Sequence, residues 1–116
     1  MIVCKMKLKE RLSYLRKLED DWDNYSARKI TETSIIVTEA YMINEFSDSE
    51  IEKIDIYPIP TGGVQLEYVE NGLDIEIEIL DYDISKMIYT ENDADIMTIE
   101  SNYLNTIRKM KIQNLL

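Results

Sequence analysis

Val64-Gln65-Leu66-Glu67-Tyr68-Val69-Glu70-Asn71-Gly72-Leu73-Asp74-Ile75-Glu76-Ile77-Glu78-Ile79 is the stretch on which the fold turns. Two runs of alternating apolar and polar residues flank Asn71-Gly72. Period-two alternation puts successive side chains on opposite faces of a strand. Asn-Gly favours a two-residue type I′ turn, because both central residues of that turn need positive φ. Such a loop pairs Glu70 with Leu73. Counting back, Tyr68 faces Ile75, Leu66 faces Ile77 and Val64 faces Ile79. Every pair on that face is apolar, so the turn and the pattern agree on one register.

The other face sets Val69 against Asp74, Glu67 against Glu76 and Gln65 against Glu78. Like charges directly opposite one another repel. Glu67, Asp74, Glu76 and Glu78 therefore crowd together. An open, solvated face tolerates this, and a docking surface for a basic partner relieves it. Both readings stand on the sequence.

Upstream of the hairpin, Ile54, Ile56 and Pro58 alternate with Asp55 and Tyr57. Pro58 and Pro60 suit an edge strand or a strand end, and Thr61-Gly62-Gly63 reads as a turn. Downstream, residues 85–90 are expected to form a fourth strand with Met87 and Tyr89 facing the core. Glu91-Asn92-Asp93-Ala94-Asp95 reads as an acidic loop. Residues 98–113 read as a closing helix with Tyr103, Leu104, Ile107 and Met110 as its stripe.

Toward the N-terminus, Leu8, Leu12, Leu15 and Leu18 give residues 5–19 the stripe of an amphipathic helix. Lys7, Lys9, Arg11, Arg16 and Lys17 lie mostly off that stripe. They form a solvated face or one that touches an acidic membrane or nucleic acid. Residues 31–46 read as a second helix, with Thr31 or Thr33 as N-cap. Ile36, Ala40 and Ile43 are its stripe, widened by Ile35, Met42 and Phe46. Ser47-Asp48-Ser49 reads as a break. The expectation is a single α+β domain over residues 1–116. It has an antiparallel sheet of about four strands, two N-terminal helices and one C-terminal helix, in the order α-α-β-β-β-β-α.

The chain of 116 residues is 45% hydrophobic and 31% charged, an ordinary globular balance. Its net charge of −10 is unevenly placed. Residues 1–17 carry six basic groups and one acid, whereas residues 30–104 carry eighteen acids and only Lys53 and Lys86. The acidic middle repels phosphates, which argues against direct nucleic-acid binding, and attracts a basic surface. The same acidity also serves solubility. The one cysteine, Cys4, cannot close an internal disulfide, and no signal-peptide or membrane-spanning pattern is present, so a cytoplasmic setting is expected. Asn24-Tyr25-Ser26 matches a glycosylation acceptor that such a setting leaves unused.

Histidine is absent. That removes the usual general base, the Ser-His and Cys-His pairs and the commonest zinc ligand. Thr61-Gly62-Gly63 lacks the lysine and the spacing of a phosphate loop. No lysine follows an acid at the spacing common in carboxylate-metal nucleases. Asp81-x-Asp83-x-Ser85 opens like a calcium loop, but Lys86 stands where glycine is needed and Asn92 where the final glutamate belongs. Glu91-x-Asp93-x-Asp95 fails in the same way, with Ile96 and Asn102 at those positions. No cofactor and no metal site is expected. Cys4 beside Lys5 reads as a small residue near a chain end.

Two segments together resemble a known family. Trp22-Asp23-Asn24-Tyr25-Ser26-Ala27, followed by a helix, is similar to a Trp-Asp-Gly-Tyr-Gly-Ala element of small, uncharacterised microbial and phage proteins. In that family a Pro-x-Pro-x-Gly-Gly segment leads into a strand with a Leu-Glu-aromatic step. Here that segment is Pro58-Ile59-Pro60-Thr61-Gly62-Gly63, leading into Val64-Gln65-Leu66-Glu67-Tyr68. The likeness spans about residues 10–80. Asn24 and Ser26 replace the two glycines, and Tyr68 stands where tryptophan is usual. The resemblance implies a shared α+β fold and no known activity. It casts Trp22 and Tyr25 as core anchors and Gly62-Gly63 as the turn.

The leading expectation is a non-enzymatic binding or inhibitory module from a microbe, virus or mobile element. Glu67, Asp74, Glu76 and Glu78 would meet a basic protein surface, such as the channel of a nucleic-acid-handling enzyme. The alternatives are a structural homodimer, through a sheet edge or the apolar residues Ile112, Leu115 and Leu116, and a carboxylate-metal hydrolase.

Overall fold

The computed structural model describes residues 2–89 and 95–100, with side chains for residues 7–88. Its helices are α1 (Ile2–Lys17), α2 (Glu32–Glu45) and α3 (Asp48–Glu52). Its strands are β1 (Asp55–Pro58), β2 (Val64–Glu70), β3 (Leu73–Leu80), β4 (Asp83–Tyr89) and β5 (Asp95–Glu100). The strands form one antiparallel sheet in chain order, β1-β2-β3-β4-β5.

Asn71 and Gly72 take φ of 53° and 76°, the left-handed pair that a type I′ turn requires. The register follows: Glu70 pairs with Leu73, Tyr68 with Ile75, Leu66 with Ile77 and Val64 with Ile79. Val64, Leu66, Ile75, Ile77 and Ile79 are all buried. β1 is an edge strand, with Ile56 opposite Leu66 and Pro58 opposite Val64.

The helices lie on the inner, apolar face of the sheet. α2 packs on β2 and β3, and α1 packs on α2 and α3. Leu8, Leu12 and Leu15 of α1 join the same core as Ile35, Tyr41, Leu66 and Ile77, and Leu18 packs against it. Thr31 is the N-cap of α2, its hydroxyl accepting the Ser34 N–H at 3.0 Å. Among the described residues no helix is long and apolar enough to cross a membrane.

Within the helices and strands, the structure departs from the sequence pattern at four places. The expected break at Ser47-Asp48-Ser49 instead opens α3. Ser47 caps it in a reciprocal box: the Glu50 N–H donates to the Ser47 hydroxyl, and the Ser47 N–H donates to the Glu50 carboxylate. The face of α2 is turned: Ile43 is exposed and Ile36 half-buried, while Ser34, Val37, Thr38 and Tyr41 are buried. Apolar residues run most of the way round this helix, so no single stripe stands out.

In β4, Met87 pairs with Glu76, which puts it on the outer face rather than toward the core. Ile84, opposite Ile79, and Ile88, opposite Ile75, point inward instead. Tyr89, also expected inward, pairs with Asp74. Finally, the four expected strands are joined by a fifth. β5 takes up residues 98–100, where a helix was expected to begin. The remainder of that helix, residues 101–113, and residues 91–94 of the acidic loop lie outside the described residues, and Asp95, expected in that loop, instead begins β5.

The turn between β3 and β4 has no glycine. Asp81 takes φ of 52°, and its N–H donates to the Ser34 hydroxyl at 2.7 Å. The Thr31 hydroxyl donates to the Asp81 carboxylate at 2.7 Å. The first turn of α2 thus holds the second hairpin. This accounts for the burial of Ser34, a polar residue at a position facing the sheet.

Candidate docking face

The alternation that buries Leu66 and Ile77 turns their neighbours outward. Glu67 pairs with Glu76, Gln65 with Glu78 and Val69 with Asp74, so the four carboxylates expected on one face share it. Asp74 and Glu78 are exposed, and Glu67 and Glu76 half-buried. The Gln65 amide donates to Glu67 on the same strand. Glu76 and Met87 also make further interactions within the protein.

β1 adds a fifth carboxylate. Asp55 is exposed and pairs with Glu67, and Tyr57 pairs with Gln65. Asp55, Glu67, Glu76 and Met87 therefore form one row across four strands. The sequence held the acid but not its place. The register of β1 depends on the connection through residues 59–63, for which no pairing rule exists. Among the described residues, no helix crosses this face.

The two segments behind the family resemblance meet away from that face. The Arg28 N–H donates to the Pro60 carbonyl at 2.8 Å, and the Thr31 N–H to the Gly62 carbonyl at 2.9 Å. Gly62 takes φ of 102°. A Cβ on Gly63 would overlap the Ile79 carbonyl oxygen, so only glycine lets this loop lie on β3. Asn24 and Ser26, which stand at the glycine positions of the family element, both take φ of 65°, a region that favours glycine.

Side chains hold that loop. Asp23 accepts the N–H groups of Tyr25 (2.8 Å) and Ala27 (3.0 Å), and Asp21 accepts that of Ser26 (2.8 Å). The Trp22 ring nitrogen donates to the Arg28 carbonyl at 2.9 Å, and the ring packs against the core. Tyr25, expected as a core anchor, is instead 87% exposed. The two bonds to Asp23 curl the chain so that Ala27 turns inward and Tyr25 outward.

The basic face of α1 is largely occupied by the protein's own groups. Arg16 reaches Glu32 at 2.9 Å and Lys7 reaches Glu52 at 3.4 Å. Arg11 donates to the Ile56 carbonyl at 2.8 Å, with its guanidinium 5.0 Å from the Tyr14 ring centre. Among the described residues, no three carboxylates converge as a metal site. Comparison with protein-family models, curated proteins and solved structures finds no match for the chain.

Proposed function

We propose that this chain is a non-catalytic, cytoplasmic binding module that docks its acidic sheet face on a basic surface of another protein. The observation that carries the reading is the row Asp55–Glu67–Glu76 flanked by Asp74 and Glu78. Like charges set opposite one another cost stability, and a basic partner turns that cost into attraction. The target class that fits is a nucleic-acid-handling enzyme, whose channel presents cations spaced for phosphates. The module then acts as an inhibitor by occupying that channel. The likeness of the Trp22–Ala27 and Pro58–Gly63 segments to small microbial and phage proteins supports a microbial or mobile-element origin.

Binding of this kind is steered by charge, so it is fast and weakens with salt. The test is capture from native lysate at low and high salt, by the parent chain and by the Glu67→Lys/Glu76→Lys variant. A basic nucleic-acid enzyme held by the parent, released by salt and ignored by the folded variant, is the expected result. Equal capture by both overturns the reading. Recovery of the chain alone, with a mass that falls on dilution, replaces it with a homodimer.

A further inference from the structure

β2 outruns β1. Asp55, the first residue of β1, pairs with Glu67, and beyond it Tyr68, Val69 and Glu70 pair only with β3. In an antiparallel ladder, successive residues turn their N–H and C=O to opposite sides. Glu70 and Leu73 close the two-residue turn, so Glu70 and Tyr68 address β3 and Val69 addresses the side that β1 has left. The Ile56 carbonyl, which points away from β2 to Arg11, gives the same phase. Among the described residues, the N–H and C=O of Val69 meet no partner. Its side chain is 68% exposed.

A hollow lies on each side of this open backbone. The outer one, about 670 Å³, is lined by Asp55, Glu67, Asp74 and Glu76. The inner one, about 150 Å³, is lined by Phe46, Ile54, Tyr68 and Val69 together with Glu50 and Glu70. The Phe46 and Tyr68 rings stand edge to face, 5.2 Å apart. Lys53 lies at the rim of both hollows.

We propose that this notch takes a short extended segment of a partner protein, which continues the track of β1 and pairs with Val69. Residues directly opposite in a sheet share a face, and neighbours alternate. Ile54 takes the place beside Tyr68, so the residue opposite Val69 enters the acidic hollow and its neighbour opposite Glu70 turns to the inner side, beside the aromatic hollow. The matching sequence is a lysine or arginine next to an apolar residue, recognised by strand addition. This inference rests on the acidic-face reading and gives the partner's contact a backbone form.

The probe is a blocked peptide of alternating leucine and arginine, with its leucine–glutamate counterpart as control. Amide exchange at Val69 is followed by NMR, and affinity by calorimetry. The arginine peptide is expected to bind and to slow Val69 exchange about tenfold or more at saturation. The glutamate peptide is expected not to bind. Val69→Pro removes the edge donor and leaves the hydrogen bonds to β3 and every carboxylate in place. It should weaken binding about tenfold, a loss of about 1.4 kcal/mol.

If Val69→Pro binds like the parent while Asp55→Lys/Asp74→Lys does not, strand addition is overturned and the acidic-face reading survives. If neither variant loses affinity, both are overturned. Should Val69→Pro fail to fold, the parent decides: unchanged Val69 exchange at saturation overturns the proposal.

Discussion

The two faces of the β2–β3 hairpin are built from the same backbone hydrogen bonds and alternate residues, yet they have opposite physics. Inward, Leu66 meets Ile77 and both are fully buried. Outward, Glu67 meets Glu76, one residue along on each strand, and two carboxylates share a cross-strand site. A shift of one residue exchanges stabilising pairs for repelling ones. The inner face supplies enough stability to carry the outer one.

The comparison can be broken or sharpened by substitution. The largest effect belongs inside. Leu66→Ala should cost about 2–5 kcal/mol, because the cavity is sealed by α2, and urea denaturation would read it. A loss under about 1 kcal/mol would mean that the inner face does not carry the fold. Gly63→Ala should cost about 1–3 kcal/mol through overlap with the Ile79 carbonyl, also read from the denaturation midpoint.

Thr38→Val should stabilise by about 1 kcal/mol. The Thr38 hydroxyl is fully buried, with no hydrogen-bond partner among the described residues. The thermal midpoint should therefore rise. Outside, Glu67→Lys should stabilise by roughly 0.2–1 kcal/mol as repulsion with Glu76 becomes attraction. A variant both more stable and unable to bind would separate the two faces cleanly.

The smallest effect lies at α3. The Ser47 N–H, and its hydroxyl after it, hold the Glu50 carboxyl below the ordinary glutamate value. A carboxyl depressed in the folded state stabilises above its unfolded value and loses that contribution as pH falls through the folded one. The loss is therefore confined to acid, below the usual glutamate range. In Ser47→Ala, which keeps the backbone N–H and removes the hydroxyl, the Glu50 titration followed by NMR should move only part of the way back up toward that range.

What could be read from the chain was local. The hairpin, its register and its four carboxylates lie within one uninterrupted stretch, and Asn71-Gly72 fixes their phase. The face of β4 was not legible, because Asp81-Tyr82 carries no glycine to announce a two-residue turn. Counting from the wrong start sends Met87 inward. Asp55 was hidden for a related reason, since its pairing with Glu67 depends on a loop whose length sets no register. The exposed Tyr25 was hidden too. Its direction depends on which backbone amides Asp23 accepts, and composition does not encode that.

The bonds from Thr31 and Ser34 to Asp81 also bear on the order in which the chain acquires its shape. The Asn71-Gly72 turn closes between neighbours and draws on nothing distant. The Asp81 turn draws its hydrogen bonds from residues 47 and 50 positions earlier, and closing so long a loop carries an entropic cost that a local turn avoids. The first hairpin is therefore expected to form early, with the Asp81 turn secured after the start of α2 has docked on it. Substitution at Ser34 should accordingly speed unfolding far more than it slows folding, whereas substitution at Gly72 should slow folding.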